Sequence, residues 1–439
     1  MAGAVGLSRK KRLVFSAVVL LILYLLAELL AVCAHRLHYG RWYTWSSAAV
    51  QRRTAAANFA PDSIPDFPPG TVHPYVGYVA GSDWKPNDPD FTYPFLWDDD
   101  FTNRPPDGFR SRRPVVQRRS PGTVIVGIFG GSVADIYYRQ GVHITLQRLR
   151  EHPAYQDKQF VVVCLADGGY KQPQQLMALN YILAQGGQLD IIINIDGFNA
   201  VALHAAENGK EAVFPIYPRA WYFKVGQVRD RELLSLFGRK ALAEKDIQGS
   251  ADFFSHPPLS LSPLCHLIWR ARSRQLENGL REITKAIESF HTEESFLSTG
   301  PRIQPATESD LYEDLVQIWE ASSTQMHALC TANGIQYFHF LQPNQYDQGS
   351  KPLNDTERKT AFLEDYPYRP GVDHGYPLLK AAGKRLIASG EHFVDLTDIF
   401  KTTQETIYAD TCCHFNERGN EIIAIRIAES ILESVPTEP

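Results

Sequence analysis

Three short runs of apolar, mostly β-branched residues constrain the fold of this chain most strongly. They are TVIVGIF at 123–129, FVVVCLA at 160–166 and LDIIINI at 189–195. Continuous apolar runs of this length are typical of strands buried on both faces of a sheet. Helical patterns separate them, at about 133–150 and 173–185. Because strand and helix alternate, this segment predicts a parallel sheet with helices on both faces, and therefore the α/β class.

Two later runs extend the predicted sheet. IQYFHFLQ at 335–342 and HFVDLTDIF at 392–400 predict a fourth and a fifth strand. Helices are expected at about 309–332, where Ser309 is a plausible N-cap, at about 376–389 and 417–434, and at about 229–246 and 262–292. The helices at about 229–246 and 262–292 lie in a segment, 206–308, that interrupts the alternation of strands and helices. We therefore predict one α/β domain at 121–439 that carries a helical insertion at about 206–308.

A separate apolar run, from Leu13 to Ala34, lies near the N-terminus and contains a single charge, Glu28. At about 1.5 Å per residue it is about 33 Å long, enough to cross a bilayer. The basic residues 9–12 precede it, and the positive-inside rule puts residues 1–12 in the cytoplasm and the rest in the periplasm or outside the cell. A signal peptide cleaved after Ala34 is the alternative, but the run is long for one, which favours a single-pass anchor.

Residues 35–120 are rich in Pro, Asp and aromatic residues and hold no regular period for long. They predict an extended arm packed on the domain that follows. The chain has 44 basic and 49 acidic residues, a net charge of −5. This balance argues against a nucleic-acid partner, which would require a basic face. Six cysteines in 439 residues do not make a disulfide-dense scaffold.

Glycine or polar residues follow each of the first three predicted strands. Ser132, Gly169 and Asn199 stand at these points, and His414 stands just before the last helix. Sites in open parallel sheets form beyond the carboxyl ends of the strands. Each residue alone is explained by a turn or a helix cap. Together they offer a nucleophile, two oxyanion donors and a base.

The segments around these four residues resemble, in order, the sequence blocks of the SGNH (GDSL-like) hydrolases. The matches are FGGSVAD with Ser132, ADGGYKQPQQL with Gly169, IDGFNA with Gly197 and Asn199, and DTCCHFNERGNEIIA with His414. The resemblance covers about 123–204 and 392–434. It implies a three-layer α/β/α, flavodoxin-like domain, here preceded by one transmembrane helix.

The resemblance also implies roles. Ser132 would be the nucleophile and His414 the base, while the backbone N–H groups of Ser132 and Gly169, with the Asn199 amide, would form an oxyanion hole. Neither a metal nor a cofactor is implied. Two positions depart from the family: Ala200 replaces an aspartate, and Thr411 stands three residues before His414, where the family has an aspartate.

Asp410 lies four residues before His414. Three alternatives follow from this offset. The turn is one residue longer and Asp410 still orients the imidazole, or the site is a Ser–His dyad, or the site is impaired. Gln172, Gln342 and Asn344 also follow strand ends and are candidate substrate-binding residues. A polar turn is the alternative explanation for them.

These observations predict a membrane-anchored, extracytoplasmic serine esterase or O-acyltransferase that acts on oxygen esters of envelope glycans or lipids. The expected partners are membrane lipid around 13–34, an ester-bearing glycan or lipid, and other membrane proteins. The alternative is a catalytically inactive SGNH-fold subunit that has a structural or partner-binding role in a membrane assembly, because a fold alone does not define a function.

Overall fold

The computed structural model describes residues 9–58, 71–80, 109–229, 231–290, 296–301, 305 and 307–435. The strands are β1 Thr71–His73, β2 Gly77–Val79, β3 Thr123–Gly130, β4 Gln159–Cys164, β5 Ile191–Asp196, β6 Gln336–Leu341 and β7 His392–Asp395. The helices are α1 Arg9–Tyr39, α2 Trp45–Asn58, α3 Ser132–Gln140, α4 Val142–Arg150, α5 Gln174–Ala184, α6 Phe198–Ala206, α7 Trp221–Arg229, α8 Arg231–Phe253, α9 Pro263–Glu288, α10 Phe296–Thr299, α11 Glu308–Ala332, α12 Asp355–Thr360, α13 Arg369–Ala388 and α14 Glu417–Glu433.

The chain divides into two compact units. A helical unit comprises Met1–Phe67 and Gly226–Thr292, and the larger α/β unit comprises Pro68–Val225 and Glu293–Pro439. The predicted insertion at 206–308 is therefore shared between the units. Its two long helices, α8 and α9, belong to the same compact unit as α1 and α2.

The α/β unit is built on a five-stranded parallel sheet with the order β4-β3-β5-β6-β7. When the five strands of this sheet are renumbered in chain order, their spatial order is 2-1-3-4-5, which is the flavodoxin-like order. The predicted α/β class with a parallel sheet is confirmed. Strand β3 pairs with β4 on one side and β5 on the other, so Val126 lies opposite Val162 and Ile191.

Both faces of the sheet are covered, as the continuous apolar runs predicted. Val126 and Ile128 of β3 belong to one core cluster, where they are joined by residues of α3, α4 and α14. Ile125 and Phe129 point the other way, into a second cluster with residues of α5 and α11. Because side chains alternate along a strand, this division produces the α/β/α layers.

Three of the element boundaries that differ from the sequence prediction have a local cause. The last strand stops at Asp395, whose side chain accepts a hydrogen bond from the Thr397 N–H at 2.9 Å and turns the chain. The helix predicted at 133–150 is broken at Gly141 into α3 and α4. The N-cap of α11 is Thr307 in a capping box with Asp310, and not Ser309.

The segment predicted as an extended arm is partly regular. Residues 45–58 form α2, and β1 and β2 form a short antiparallel hairpin. Val76, Val79 and Phe109 lie in the second core cluster of the α/β unit. The remainder of the predicted arm, at 59–70 and 81–108, lies outside the described residues.

Among the described residues, α1 is the one helix long and apolar enough to span a membrane. It has 31 residues and continues past the apolar run, to Tyr39.

Candidate active site

Ser132 is presented by a tight strand-to-helix junction. β3 ends at Gly130, and Ser132 is the first residue of α3. The first N–H groups of a helix have no acceptor inside the helix, so the Ser132 N–H is available to a ligand. A Cβ at Gly131 would lie 2.3 Å from Asn199 Nδ2. Glycine at 131 therefore lets the Asn199 amide approach the backbone next to Ser132.

His414 lies between Ser132 and Asp410. Its Nε2 is 2.7 Å from Ser132 Oγ, and its Nδ1 is 2.5 Å from Asp410 Oδ2. Burial lowers the pKa of His414, but the hydrogen bond and the charge of Asp410 outweigh burial and hold this pKa above its ordinary value. Burial raises the pKa of Asp410, and the hydrogen bond and charge of His414 more than reverse that effect. The three side chains form a continuous hydrogen-bonded chain.

The longer turn before His414 explains how Asp410 reaches the imidazole. Asp410 Oδ1 accepts hydrogen bonds from the N–H groups of Cys412 at 2.9 Å and Cys413 at 3.2 Å. This leaves Oδ2 for the histidine. Of the three alternatives that the sequence left open, the geometry is that of a turn lengthened by one residue. Thr411 takes no part in the hydrogen-bonded chain; its carbonyl accepts from the Tyr346 hydroxyl at 3.1 Å.

Asn199 links the strand-to-helix junction that presents Ser132 to the loop that contains Gly169. Its Nδ2 lies against Gly131 and donates to the carbonyl of Tyr170 at 2.9 Å, next to Gly169. Gly169 has φ +79°, which favours glycine, and a Cβ there would meet Arg219 Cδ at 2.6 Å. The structure thus brings together the serine, both predicted oxyanion donors, the histidine and the aspartate.

A buried ion-pair network lies behind the nucleophile. Arg110 Nε bonds Asp167 Oδ1 at 2.6 Å, and its Nη1 is 3.5 Å from Asp135 Oδ2. Asp135 is on α3, one turn after Ser132, and Asp167 begins the Gly169 loop. Burial raises the pKa of Asp167 against the opposing charge of Arg110. Arg110 therefore links α3 to the Gly169 loop, a role that its isolated sequence context did not indicate.

The rim beside Gly169 contains three residues that sequence reasoning missed. Arg219 makes a bidentate ion pair with Glu207, at 2.6 and 2.8 Å, and the Tyr368 hydroxyl also donates to Glu207. Arg219 comes from the aromatic loop FPIYPRAWYF, whose composition was the one available signal. Its guanidinium remains positive, since the hydrogen bonds and charge of Glu207 outweigh burial and raise the Arg219 pKa.

The predicted substrate-binding residues do not line an open site. Gln172 is buried, and its Nε2 contacts Met326 Sδ at 3.5 Å. Asn344 is fully buried and donates to the Cys412 carbonyl at 3.5 Å, and Gln342 is buried beside Cys413. Because their amides are turned into the protein, the structure gives no support to a substrate-binding role for these three residues, and that role stays a prediction. Asn344 and Gln342 support the Asp410–His414 turn.

A second Ser–His–Asp arrangement lies inside the α/β unit. His339 Nδ1 is 2.7 Å from Ser323 Oγ, and its Nε2 is 2.8 Å from Asp196 Oδ1. Ser323 also donates to Glu391 at 2.9 Å. Ser323 and His339 have no exposed surface. No substrate reaches them, so this network satisfies buried polar groups and has no nucleophilic role.

Among the residues that the structure describes, one group of atoms that could hold a metal lies in the Asp410–His414 turn. The possible ligand atoms of Cys412, Cys413 and His414 all lie within 4.8 Å of one another. Both nitrogens of His414, however, already face Ser132 and Asp410. The Cys413 thiol, together with a hydrogen bond from Tyr366, lowers the pKa of Cys412 to about 7 despite burial. The histidine cannot serve a metal and the Ser–His–Asp chain at once.

No protein-family model matches the sequence, and no curated protein matches it. Among solved structures, the chain is similar to an acetyl xylan esterase with a TM-score of 0.32 and 11% identity. That match covers 71% of this chain and 100% of the esterase chain. At this TM-score and identity, the likeness gives no information on the function of this chain.

Proposed function

We propose that this protein is a serine ester hydrolase or O-acyltransferase of the SGNH type. The observation that supports the proposal is the hydrogen-bonded chain from Ser132 Oγ through His414 to Asp410. A serine hydroxyl is a weak nucleophile at neutral pH and requires an adjacent base. The Ser–His–Asp chain supplies that base and holds it in one orientation.

His414 Nε2 accepts the Ser132 proton as Oγ attacks an ester carbonyl, and later returns it to the leaving alcohol. Asp410 keeps the proton of His414 on Nδ1 and stabilises the imidazolium. The oxyanion accepts hydrogen bonds from the N–H groups of Ser132 and Gly169 and from the Asn199 amide. One such donor is worth about 2.7–4 kcal/mol in the transition state. Water or an alcohol then releases the acyl group.

The proposed substrates are oxygen esters on glycans or lipids at the outer side of the membrane. The support is the apolar helix α1, which is long enough to anchor the chain, with the basic residues of its N-terminal flank indicating the cytoplasmic side. The Arg219–Glu207 pair beside Gly169 gives the rim a fixed polar surface, which suits a hydroxyl-bearing substrate.

The test is labelling of the detergent-solubilised full chain with a fluorophosphonate probe. We expect wild type to label, and Ser132→Ala and His414→Ala to lose labelling. The matched control is Ser323→Ala, which removes the hydroxyl of the buried Ser–His–Asp arrangement and leaves labelling unchanged. Absence of labelling in folded wild-type protein would overturn the proposal and favour the catalytically inactive module.

A further inference from the structure

The charged residue inside the apolar run of α1 has partners from another part of the chain. Glu28 Oε1 accepts a hydrogen bond from Ser262 Oγ at 2.5 Å, and Oε2 accepts one from the Leu264 N–H at 3.0 Å. Ser262 is the N-cap of α9. A carboxylate at a helix N-terminus is stabilised by the helix dipole and by the free N–H groups. Glu28 therefore fixes the beginning of α9 against α1.

The two helices then run side by side in the same direction. Arg274 of α9 reaches the end of α1, with Nη1 3.0 Å from His38 Nε2 and Nη2 3.1 Å from the Tyr39 hydroxyl. Leu264 to Arg274 and Glu28 to His38 are the same number of residues apart. The beginning of α9 thus lies at the level of Glu28, which is about 9 Å inside the end of the apolar run at 1.5 Å per residue.

Phe253 at the end of α8 and the connection to α9 at 254–262, which together we call the hairpin tip, lie at this level. Phe253 is 63% exposed and Leu261 is 62% exposed. No Asp, Glu, Lys or Arg occurs from Phe253 to Trp269, although such residues make up 21% of the chain. The first charges on either side are Asp252 and Arg270. An uncharged stretch with outward apolar side chains is typical of a segment that meets lipid.

The backbone of the hairpin tip is also suited to a dry environment. The N–H groups of Ser255, Ser260 and Leu261 donate to carbonyls nearby in the chain, and the adjacent Pro257 and Pro258 have no N–H. The Leu261 carbonyl accepts from the indole of Trp45 at 2.8 Å. Most N–H groups of the tip are therefore satisfied within the chain, which lowers the cost of placing them at the edge of a bilayer. Tryptophan is the residue favoured at that interface.

We propose that the hairpin tip inserts into the same leaflet as the Glu28 end of α1, so that the protein holds the membrane at two points. The occupant of this surface is lipid, because the tip is continuous with the lipid-facing part of α1. Arg270 and Arg274, which lie beside Tyr39 at the end of α1, would stand at the headgroups. The proposal depends on α1 crossing the membrane and is independent of catalysis.

The test uses full-length protein in phospholipid vesicles, with a fluorescent amino acid introduced at Leu261 or Phe253. Leu20, 66% exposed in the middle of α1, is the positive control. Leu242, 63% exposed on α8 and about 16 Å along the helix from Phe253, is the control for water. We expect nitroxide-labelled acyl chains to quench positions 20, 253 and 261, and aqueous iodide to quench position 242.

Quenching of positions 253 and 261 by iodide, with position 20 quenched by lipid, would overturn the proposal. Protection of both tip positions from both quenchers would also overturn it, since protein would then cover the tip. A second variant, Glu28→Ala, removes the carboxylate that accepts hydrogen bonds from Ser262 and Leu264 at the beginning of α9. We expect it to weaken lipid quenching at position 261 and to leave quenching at position 20 unchanged.

Discussion

At the scale of single residues, Asp410 determines how the candidate base titrates. Its carboxylate keeps the pKa of His414 above the ordinary value, against burial. A general base must be neutral, so activity is lost as the pH falls through this raised pKa. In wild type, we expect the acidic limb of kcat/KM on a simple ester to lie above pH 6.5.

For Asp410→Asn we expect the acidic limb to move to lower pH. The burial that lowers the pKa of His414 remains in this variant, while the negative charge of Asp410 that raises this pKa is removed. The kcat should fall by roughly 10⁴-fold, the cost of this change in a Ser–His–Asp triad. The control is Thr411→Ala, at the neighbouring position outside the hydrogen-bonded chain. An acidic limb that stays in place in Asp410→Asn would contradict the assigned role.

At the scale of elements, the turn that carries Asp410 depends on Glu357 at the start of α12. This fully buried carboxylate accepts from Lys351 Nζ at 2.7 Å and from the N–H groups of Ile407 at 2.8 Å and Tyr408 at 3.1 Å. Burial raises its pKa, but these donors outweigh burial and lower it. The Glu357 side chain therefore joins α12 to Ile407 and Tyr408, which lie just before Asp410 in the chain.

Glu357→Gln should lower the free energy of unfolding by about 3–5 kcal/mol, because it leaves the Lys351 charge buried without a counter-charge. The control, Glu364→Gln, removes an exposed partner of Arg369 and should change stability by less than about 1 kcal/mol. A lowered pKa in the folded state means that the stabilisation is present above pH 4.5 and is lost on acidification. Denaturant titrations at pH 7 and pH 4 measure the difference; equal effects at both would contradict the account.

At the scale of the whole molecule, the basic residues before α1 and its apolar length define an expected orientation. We expect a tag at the C-terminus to be accessible to a protease outside intact cells and an N-terminal tag to be protected. Replacing Arg9, Lys10, Lys11 and Arg12 by Gln should lower the fraction of chains in this orientation. Protection of the C-terminal tag, with the N-terminal tag cleaved, would reverse the proposed topology.

The sequence predicts the sheet and several residues of the site, but not the contacts that join separate segments of the chain. The β-branched runs determined the parallel sheet, because a strand buried on both faces has a local signature. The strand ends then located Ser132, Gly169 and Asn199. The sequence could not determine that Asp410 reaches His414, since this depends on an Asx-type turn through Cys412 and Cys413. The contacts of Arg219 with Glu207 and of Ser262 with Glu28 join residues 12 and 234 positions apart, and they leave no periodic trace in the sequence.

The central claim is that Ser132, and no other serine, is activated. The most direct measurement is peptide mass spectrometry of wild-type protein after reaction with the fluorophosphonate. The account predicts one phosphonyl group on the peptide that contains Ser132, and an unmodified peptide containing the buried Ser323. Modification of a different residue with the Ser132 peptide unmodified, or of no residue in folded protein, would contradict it.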